Sequence, residues 1–240
     1  MKIKLFTIPN LLTLGNLLCG TLAIVAALDG RDLRLAAVLV AVAAVLDFCD
    51  GFAARLLNAY SQIGVQLDSL ADMISFGAAP AIAFSALSKT AAWSGPAWAA
   101  QVLECVPLLI AAFSALRLAK FNVDDSQHEE FCGLPTPACA IFCMAVCYCA
   151  AGEGSVLVPD KGMIALMSAV LSLLLVSPIR MFSFKMRSAG WRGNQVRYIF
   201  IALAAVMILL LRAYAIPLII VLYVGISTVR WIAAARRGEK

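Results

Sequence analysis

The sequence predicts an all-α integral membrane protein, a polytopic bundle of about eight transmembrane helices, on three observations. Of its 240 residues 63% are hydrophobic and only 14% charged, with a mean hydropathy of +0.93. The apolar residues fall into repeated, almost uncharged runs of about 17–25 residues, the length at which a helix crosses the hydrocarbon layer with its backbone satisfied. Between the runs stand turn formers: Asp29-Gly30, Ser94-Gly95-Pro96, Gly133 to Pro137, Gly152 to Pro159 and Ser188 to Asn194. No polar block exceeds roughly twenty residues, so one membrane domain over 1–240 is expected.

In order, the predicted spans cover 5–28, 34–57, 62–87, 97–121, 136–152, 161–178, 196–212 and 215–234. The first starts like a signal peptide, with Lys2 and Lys4 before an apolar run. Thr7, Pro9, Asn10, Thr13 and Asn16 interrupt it, however, and Asp29 and Arg31 follow without a small-residue cleavage site, so it reads as a retained helix. The second and third carry the acidic residues discussed below. The fourth ends in Arg117, Lys120 and Asn122, while Glu104 near its other end has no assigned partner. The fifth carries Cys139, Cys143 and Cys147 at helical spacing. With eight cysteines and no C-x-x-C pair, small apolar packing residues are a better account than zinc ligands or disulfides. The last two spans are short and separated by Arg212 and Pro217; six full spans plus shorter helices is the alternative.

The net charge of +5 is distributed by loop, and basic residues do not interleave with aromatics, which argues against nucleic-acid binding. With eight spans, one side of the membrane collects fourteen of the nineteen Lys and Arg residues: Lys2, Lys4, Arg55, Arg117, Lys120, Arg180, Lys185, Arg187, Arg192, Arg197, Arg230, Arg236, Arg237 and Lys240. The other side keeps Arg31, Arg34, Lys89, Lys161 and Arg212. The positive-inside rule then puts both termini in the cytoplasm and the chain in the cell (inner) membrane. The run from Arg180 to Arg197 faces anionic headgroups. His128, the single histidine, sits in a polar loop and reads as solvated.

The acidic residues pose the functional question. Asp47, Asp50, Gly51, Ala54 and Arg55 are offset by 3, 4, 7 and 8, and Gly64, Asp68 and Asp72 by 4 and 8, so each set lies on one helical face. A short turn near Asn58 to Ser61 makes 34–87 a helical hairpin of antiparallel neighbours. Folding it about residue 59.5 brings Asp47 level with Asp72, Asp50 and Gly51 level with Asp68, and Arg55 level with Gly64. The deeper pair lies roughly 19 Å along the helices from the tip.

Four aspartates at that depth cost about 10–14 kcal/mol on an insertion scale, and mutual repulsion adds to it. Arg55 offsets one. Oxygen-only ligands without histidine or thiolate suit Mg²⁺, Mn²⁺ or Ca²⁺, so divalent cations are the better account than a structural ion-pair hairpin. Gly51, Ala54 and Gly64 by themselves would read as close helix packing. Beside the carboxylates they read as room for a ligand, with Arg55 as a binder of phosphate or carboxylate.

These eight residues reproduce D-x2-D-G-x2-A-R-x8-G-x3-D-x3-D, and the sequence resembles the CDP-alcohol phosphatidyltransferase family, whose signature this is. Three further stretches resemble its serine-using bacterial and archaeal members: TIPNLLTLGNLLCG, DSLADMISFGAAPA, and LRLAKFNV followed by GLPTPA, with Lys120 where arginine is common. The resemblance covers roughly residues 7–140.

It implies a membrane enzyme that moves a phosphatidyl group from CDP-diacylglycerol to an alcohol, L-serine by the closest likeness, with release of CMP. Asp47, Asp50, Asp68 and Asp72 would hold Mg²⁺ or Mn²⁺, two ions, and Gly51, Ala54, Arg55 and Gly64 would shape the cytidine diphosphate site. Asp72 would be the general base and Asp68 a further catalytic residue. No serine, cysteine or histidine joins the cluster, so a direct displacement is expected. Arg117, Lys120 and Asn122 are candidates for binding the acceptor or a phosphate, against ordinary positive-inside anchoring. A homodimer is implied by the resemblance alone. Rival readings are another acceptor (glycerol 3-phosphate or inositol phosphate) and a cation transporter, which would not need Gly51, Ala54 and Gly64 and for which no paired broken-helix repeat is visible.

Overall fold

In the computed structural model, residues 5–28, 32–123, 131–152, 154–181 and 194–236 are described. Lys2, Lys4, Arg31, Lys185, Arg187, Arg192, Arg237 and Lys240, used in the charge count above, lie outside them, as does His128. The helices start where the sequence supplies caps. α1 (Ile8–Ala27) follows Thr7, whose hydroxyl accepts from the Asn10 amide, and has Pro9 in its first turn, where no amide hydrogen is needed. α2 (Leu33–Leu56) is capped by Asp32, α3 (Gln62–Asp72) by Ser61, and α8 (Lys161–Val176) by Asp160. Asn58, at φ 49°, makes the left-handed turn between α2 and α3.

From Asp72 the chain runs through a π-helical turn, Met73–Ala78, into α4 (Ala79–Thr90), and α3, this turn and α4 together form one 29-residue stretch, Gln62–Thr90. α5 (Ala97–Cys105) and α6 (Leu109–Val123) make another, bent at Pro107. α7 (Thr136–Ala150) and α8 are short, at 15 and 16 residues. α9 (Gln195–Leu211) and α10 (Ala215–Arg236) reverse at Arg212–Tyr214, and the Phe200 ring meets that of Tyr223 at 6.2 Å as antiparallel helices require. Five stretches, with α9–α10 as one, are long and apolar enough to cross a bilayer. With α7 and α8, and α9–α10 counted as two, the eight predicted apolar segments are all helical.

α7 is the centre of the bundle, buried from Thr136 to Cys149 against α2, α4 and α10. All eight cysteines are free, and Cys139, Cys143 and Cys147 are packed in this core. The GLPTPA stretch has a structural task here. Gly133 sits at φ 78°, and a Cβ there would lie 2.4 Å from the Leu175 carbonyl, so only glycine fits. Its amide donates to Ile179 O and the Leu134 amide to Leu174 O, latching the start of α7 to the end of α8. Two-residue strands, Phe131–Cys132 (β1) and Arg180–Met181 (β2), pair antiparallel beside the latch.

One expectation is corrected. α2 and α3 diverge from their turn and make few direct backbone contacts, because α1 packs into the angle between them against both. The close approach is instead that of α1 to the π-helical turn. A Cβ on Gly20 would fall 2.7 Å from Ser75 Cα, and Ser75 Oγ donates to Asn16 O at 3.0 Å. Gly20→Val is therefore expected to cost about 1–3 kcal/mol through overpacking. Thermal unfolding in detergent would show it as a lowered midpoint; an unchanged midpoint would mean that the helices separate without penalty.

The end of the bundle away from the aspartates holds the partner that Glu104 lacked. Lys161, 8% exposed at its side chain, pairs with Glu104 at 2.7 Å. Its ammonium also donates to the carbonyls of Ser88 and Lys89 at the end of α4. Arg34 stacks over the Tyr148 ring at 5.3 Å at this same end.

Candidate active site

The buried stripe of α2 runs Leu33, Ala36, Val40, Ala43 and Asp50, so the face that packs the core near the helix start becomes acidic near its end. On α3, Asp68 and Asp72 turn toward it. One carboxylate oxygen each from Asp47, Asp50 and Asp68 lie within 4.8 Å of one another. The Asp72 carboxylate stands beside those of Asp47 and Asp68. The divergence of α2 and α3 leaves space between the two acidic faces, which the side chains span.

Three polar residues of α1 reach into this space. Thr13 Oγ1 donates to Asp50 Oδ2 at 2.6 Å, and Asn16 Nδ2 donates to Asp72 Oδ1 at 3.2 Å. Asn10, 3% exposed, lines the adjoining groove. Asn10, Thr13 and Asn16 recur every three residues on the buried face of α1. From sequence they interrupt a signal-peptide pattern and fall within the resembling stretch TIPNLLTLGNLLCG, with no role at the site assigned to them. Their spacing on one face of an otherwise apolar helix was the available signal.

An open groove adjoins the cluster. Gly51, Ala54, Gly64, Asp50 and Asp68 line it with Asn10 and Thr13. A Cβ on Gly51 would meet no protein atom within 4 Å, so its lack of a side chain leaves open space and serves no helix contact. Arg55 is exposed at the last turn of α2 and is not part of the lining. It pairs with none of the aspartates, and among the described residues no lysine or arginine does. The offset of one carboxylate by Arg55 is thus not found.

The remaining candidates separate. Arg117 is buried on α6 and faces Asp72, Cys139 of α7 and Tyr223 of α10. Lys120 is exposed and shares a small cavity with Arg117 and Phe121. Asn122 is occupied by Ser69, donating Nδ2–H to its Oγ at 2.9 Å, and so ties α6 to α3 next to Asp68.

Chemically, the cluster is an all-oxygen donor set with four carboxylates and, among the described residues, no ion-paired lysine or arginine; Arg117 faces it at Asp72 alone. That set fits a hard divalent cation, which would supply the missing positive charge. Thr13 orients Asp50 by taking one of its oxygens and leaving the other. Thr13→Val is expected to lower turnover by roughly 10- to 100-fold, as loss of a hydrogen bond behind a ligand does, and Thr13→Ser to restore it. Initial rates of CMP release measure both. Equal rates for Thr13→Val and wild type would remove Thr13 from the site.

The chain is similar to several known proteins. A protein of Bacillus subtilis named CDP-diacylglycerol–serine O-phosphatidyltransferase is 33% identical over 76% of this chain and 93% of its own length. One of the same name from Helicobacter pylori is 32% identical over 95% of this chain and 92% of its own. An archaetidylserine synthase of Methanothermobacter thermautotrophicus is 35% identical over 56% of this chain and 54% of its own. The sequence profile of CDP-alcohol phosphatidyltransferases matches residues 6–224, well past residue 140 where the motifs stop. From its first span into its last, then, the chain belongs to the CDP-alcohol phosphatidyltransferase family.

Proposed function

We propose that the chain transfers the phosphatidyl group of CDP-diacylglycerol to the hydroxyl of L-serine, giving phosphatidylserine and CMP by direct displacement. The observation that carries this reading is the carboxylate cluster opening onto a groove floored by Gly51, Ala54 and Gly64. The names of the bacterial relatives support serine as the acceptor. Asp47, Asp50, Asp68 and Asp72 would hold Mg²⁺ or Mn²⁺, two ions in this reading. Such ions, when bound, neutralise the pyrophosphate and polarise the attacked phosphorus.

The chain's own residues do the rest. Gly51, Ala54 and Gly64 admit the cytidine diphosphate, and Arg55 meets a phosphate from the rim. Asp72 accepts the proton of the serine hydroxyl as its oxygen bonds to phosphorus and the bond to CMP breaks. Asn16 holds Asp72 by one oxygen, leaving the other for that proton. Arg117, Lys120 and Asn122 stand on the acceptor side. Two expectations complete the proposal: a homodimer, from the family likeness, and both termini on the cytoplasmic side of the inner membrane, from the distribution of lysine and arginine.

The test uses purified protein with CDP-diacylglycerol, labelled serine and Mn²⁺ or Mg²⁺. Phosphatidylserine and CMP should form in equal amounts and stop with EDTA. CMP release only with glycerol 3-phosphate or inositol phosphate would move the chain to another acceptor class, and ion flux without CMP would indicate transport.

A further inference from the structure

The π-helical turn Met73–Ala78 carries one residue more than an α-helical path between the same two ends would. Up to it α3 is regular, and the Met73 amide donates to Ser69 O, four residues back. By its end the register has slipped, and the Ala79 amide donates to Ile74 O, five residues back. The cause stands next in the chain. Pro80, fully buried, has no amide hydrogen for the Phe76 carbonyl, and in a tight α-helical turn its ring would collide with that oxygen. A wider turn with an extra residue relieves the collision. Pro80 is second in α4, but the helix is continuous from Gln62 to Thr90, so its place is a helix interior.

One residue of α-helix is about 100° of rotation. α4 is fixed by the core, in which Ala79, Ala81, Ala83 and Phe84 are buried. Relative to α4, the turn therefore rotates α3 by about 100° from where an unbroken helix would hold it. An unbroken helix would put Val65, Ser69 and Met73 in the places of Gly64, Asp68 and Asp72. Asn16 of α1 holds the observed phase from both sides of the slip. Its carbonyl accepts from Ser75 Oγ inside the turn at 3.0 Å, and its Nδ2 donates to Asp72 Oδ1 just before the turn. Across from α1, Gly77 lies against Ser114 of α6, where a Cβ would come within 3.1 Å of the Ser114 Cβ.

We propose that Pro80 is a positioning residue for the acidic site: by forcing the extra residue into the turn, it aims Asp68 and Asp72 at Asp47 and Asp50. The turn's task is then rotational phase, and a regular helix one residue shorter would serve equally well.

This inference rests on the reading of the cluster as a cation site, and the experiment separates their failures. Purified wild type, Pro80→Ala, and Pro80→Ala with Ala78 deleted are titrated with Mn²⁺ in detergent, reading the thermal midpoint, with CMP release as a second readout. Pro80→Ala lets the turn close with all its residues and should raise the Mn²⁺ concentration at half effect by at least about 10-fold. Deleting Ala78 as well removes the extra residue, restores the phase, and should return that concentration to within about threefold of wild type, with CMP release recovering in parallel. Packing loss alone predicts the opposite order, since the deletion removes more of the protein than the substitution does. A Pro80→Ala variant that binds Mn²⁺ like wild type would overturn the inference. So would a deletion variant that stays indifferent to Mn²⁺ or does not fold, whether or not Pro80→Ala alone folds. A wild-type midpoint that Mn²⁺ does not move would overturn the cation reading and the inference with it.

Discussion

Asp68→Asn is expected to lower CMP release by roughly 10³-fold, the upper range for removing one preorganised electrostatic group from a reaction site. The substitution keeps the shape of the side chain and removes one of the three carboxylate oxygens that converge within 4.8 Å. Its effect on stability should run the other way. Without a cation, Asp47, Asp50 and Asp68 repel one another with no lysine or arginine paired to them, so in EDTA the variant should unfold no lower than wild type. Adding Mn²⁺ or Mg²⁺ should then raise the wild-type midpoint, since a ligand at about 100 times its Kd contributes roughly 2.7 kcal/mol, and raise that of Asp68→Asn much less. Thermal unfolding in detergent with and without EDTA reads this independently of activity. A wild-type midpoint indifferent to either cation, with Asp68→Asn still turning over, would remove the cation from the site.

The acidic cluster was legible in the sequence because helical periodicity fixes which residues share a face whatever the helices pack against. Asp47 and Asp50, or Asp68 and Asp72, cannot be on a common face by accident of tertiary structure. Which helix touches which face is a different kind of fact. The short turn at Asn58 suggested that α2 and α3 pack together, yet α1 takes the space between them. Nothing local to the hairpin encodes that, because the wedge is set by Gly20 and Ser75, 55 residues apart. The contribution of Asn10, Thr13 and Asn16 was missed for the same reason. Polar residues on an apolar helix announce a polar environment, and only the packing says that it is the one around Asp50 and Asp72. GLPTPA shows the converse: a stretch that marked a resemblance turns out to be a backbone latch, needed because Gly133 adopts φ 78° against a carbonyl.

Arg55 and Arg117 exchange emphasis on the same grounds. In sequence Arg55 lies inside the motif and Arg117 in an ordinary basic helix end. In the fold Arg55 is exposed at the rim, whereas Arg117 is buried with an unmatched Nε beside Asp72. A positive charge at a helix end is normally explained by anchoring, but anchoring leaves the guanidinium in headgroups or water. Burial of that charge inside the bundle is what sets Arg117 apart from Lys120, three residues later on the same helix.

Lys161→Met is expected to destabilise the protein by about 3–5 kcal/mol, the range for removing one partner of a buried ion pair. Lys161 is buried and holds three separate chain segments: Glu104 of α5, the Ser88 and Lys89 carbonyls at the end of α4, and through its own amide Ala92 O. Those carbonyls are the unsatisfied ends of a helix, where a positive charge is favoured by the backbone dipoles as well as by direct hydrogen bonds. Methionine fills the volume of the stem but leaves Glu104 without a counter-charge and takes a donor from the Lys89 carbonyl and from the Ser88 carbonyl, which keeps only the Ala91 amide. Glu104→Gln alone should cost less, since the ammonium keeps its carbonyl acceptors. The double variant should recover part of the loss, because the orphaned carboxylate is then gone. Because this knot lies at the opposite end of the bundle from the aspartates, the KM for CDP-diacylglycerol of whatever folded Lys161→Met remains should match that of wild type. Unfolding midpoints of the four proteins give the coupling directly; additive effects would mean that Glu104 and Lys161 act as separate helix-end residues and not as a pair.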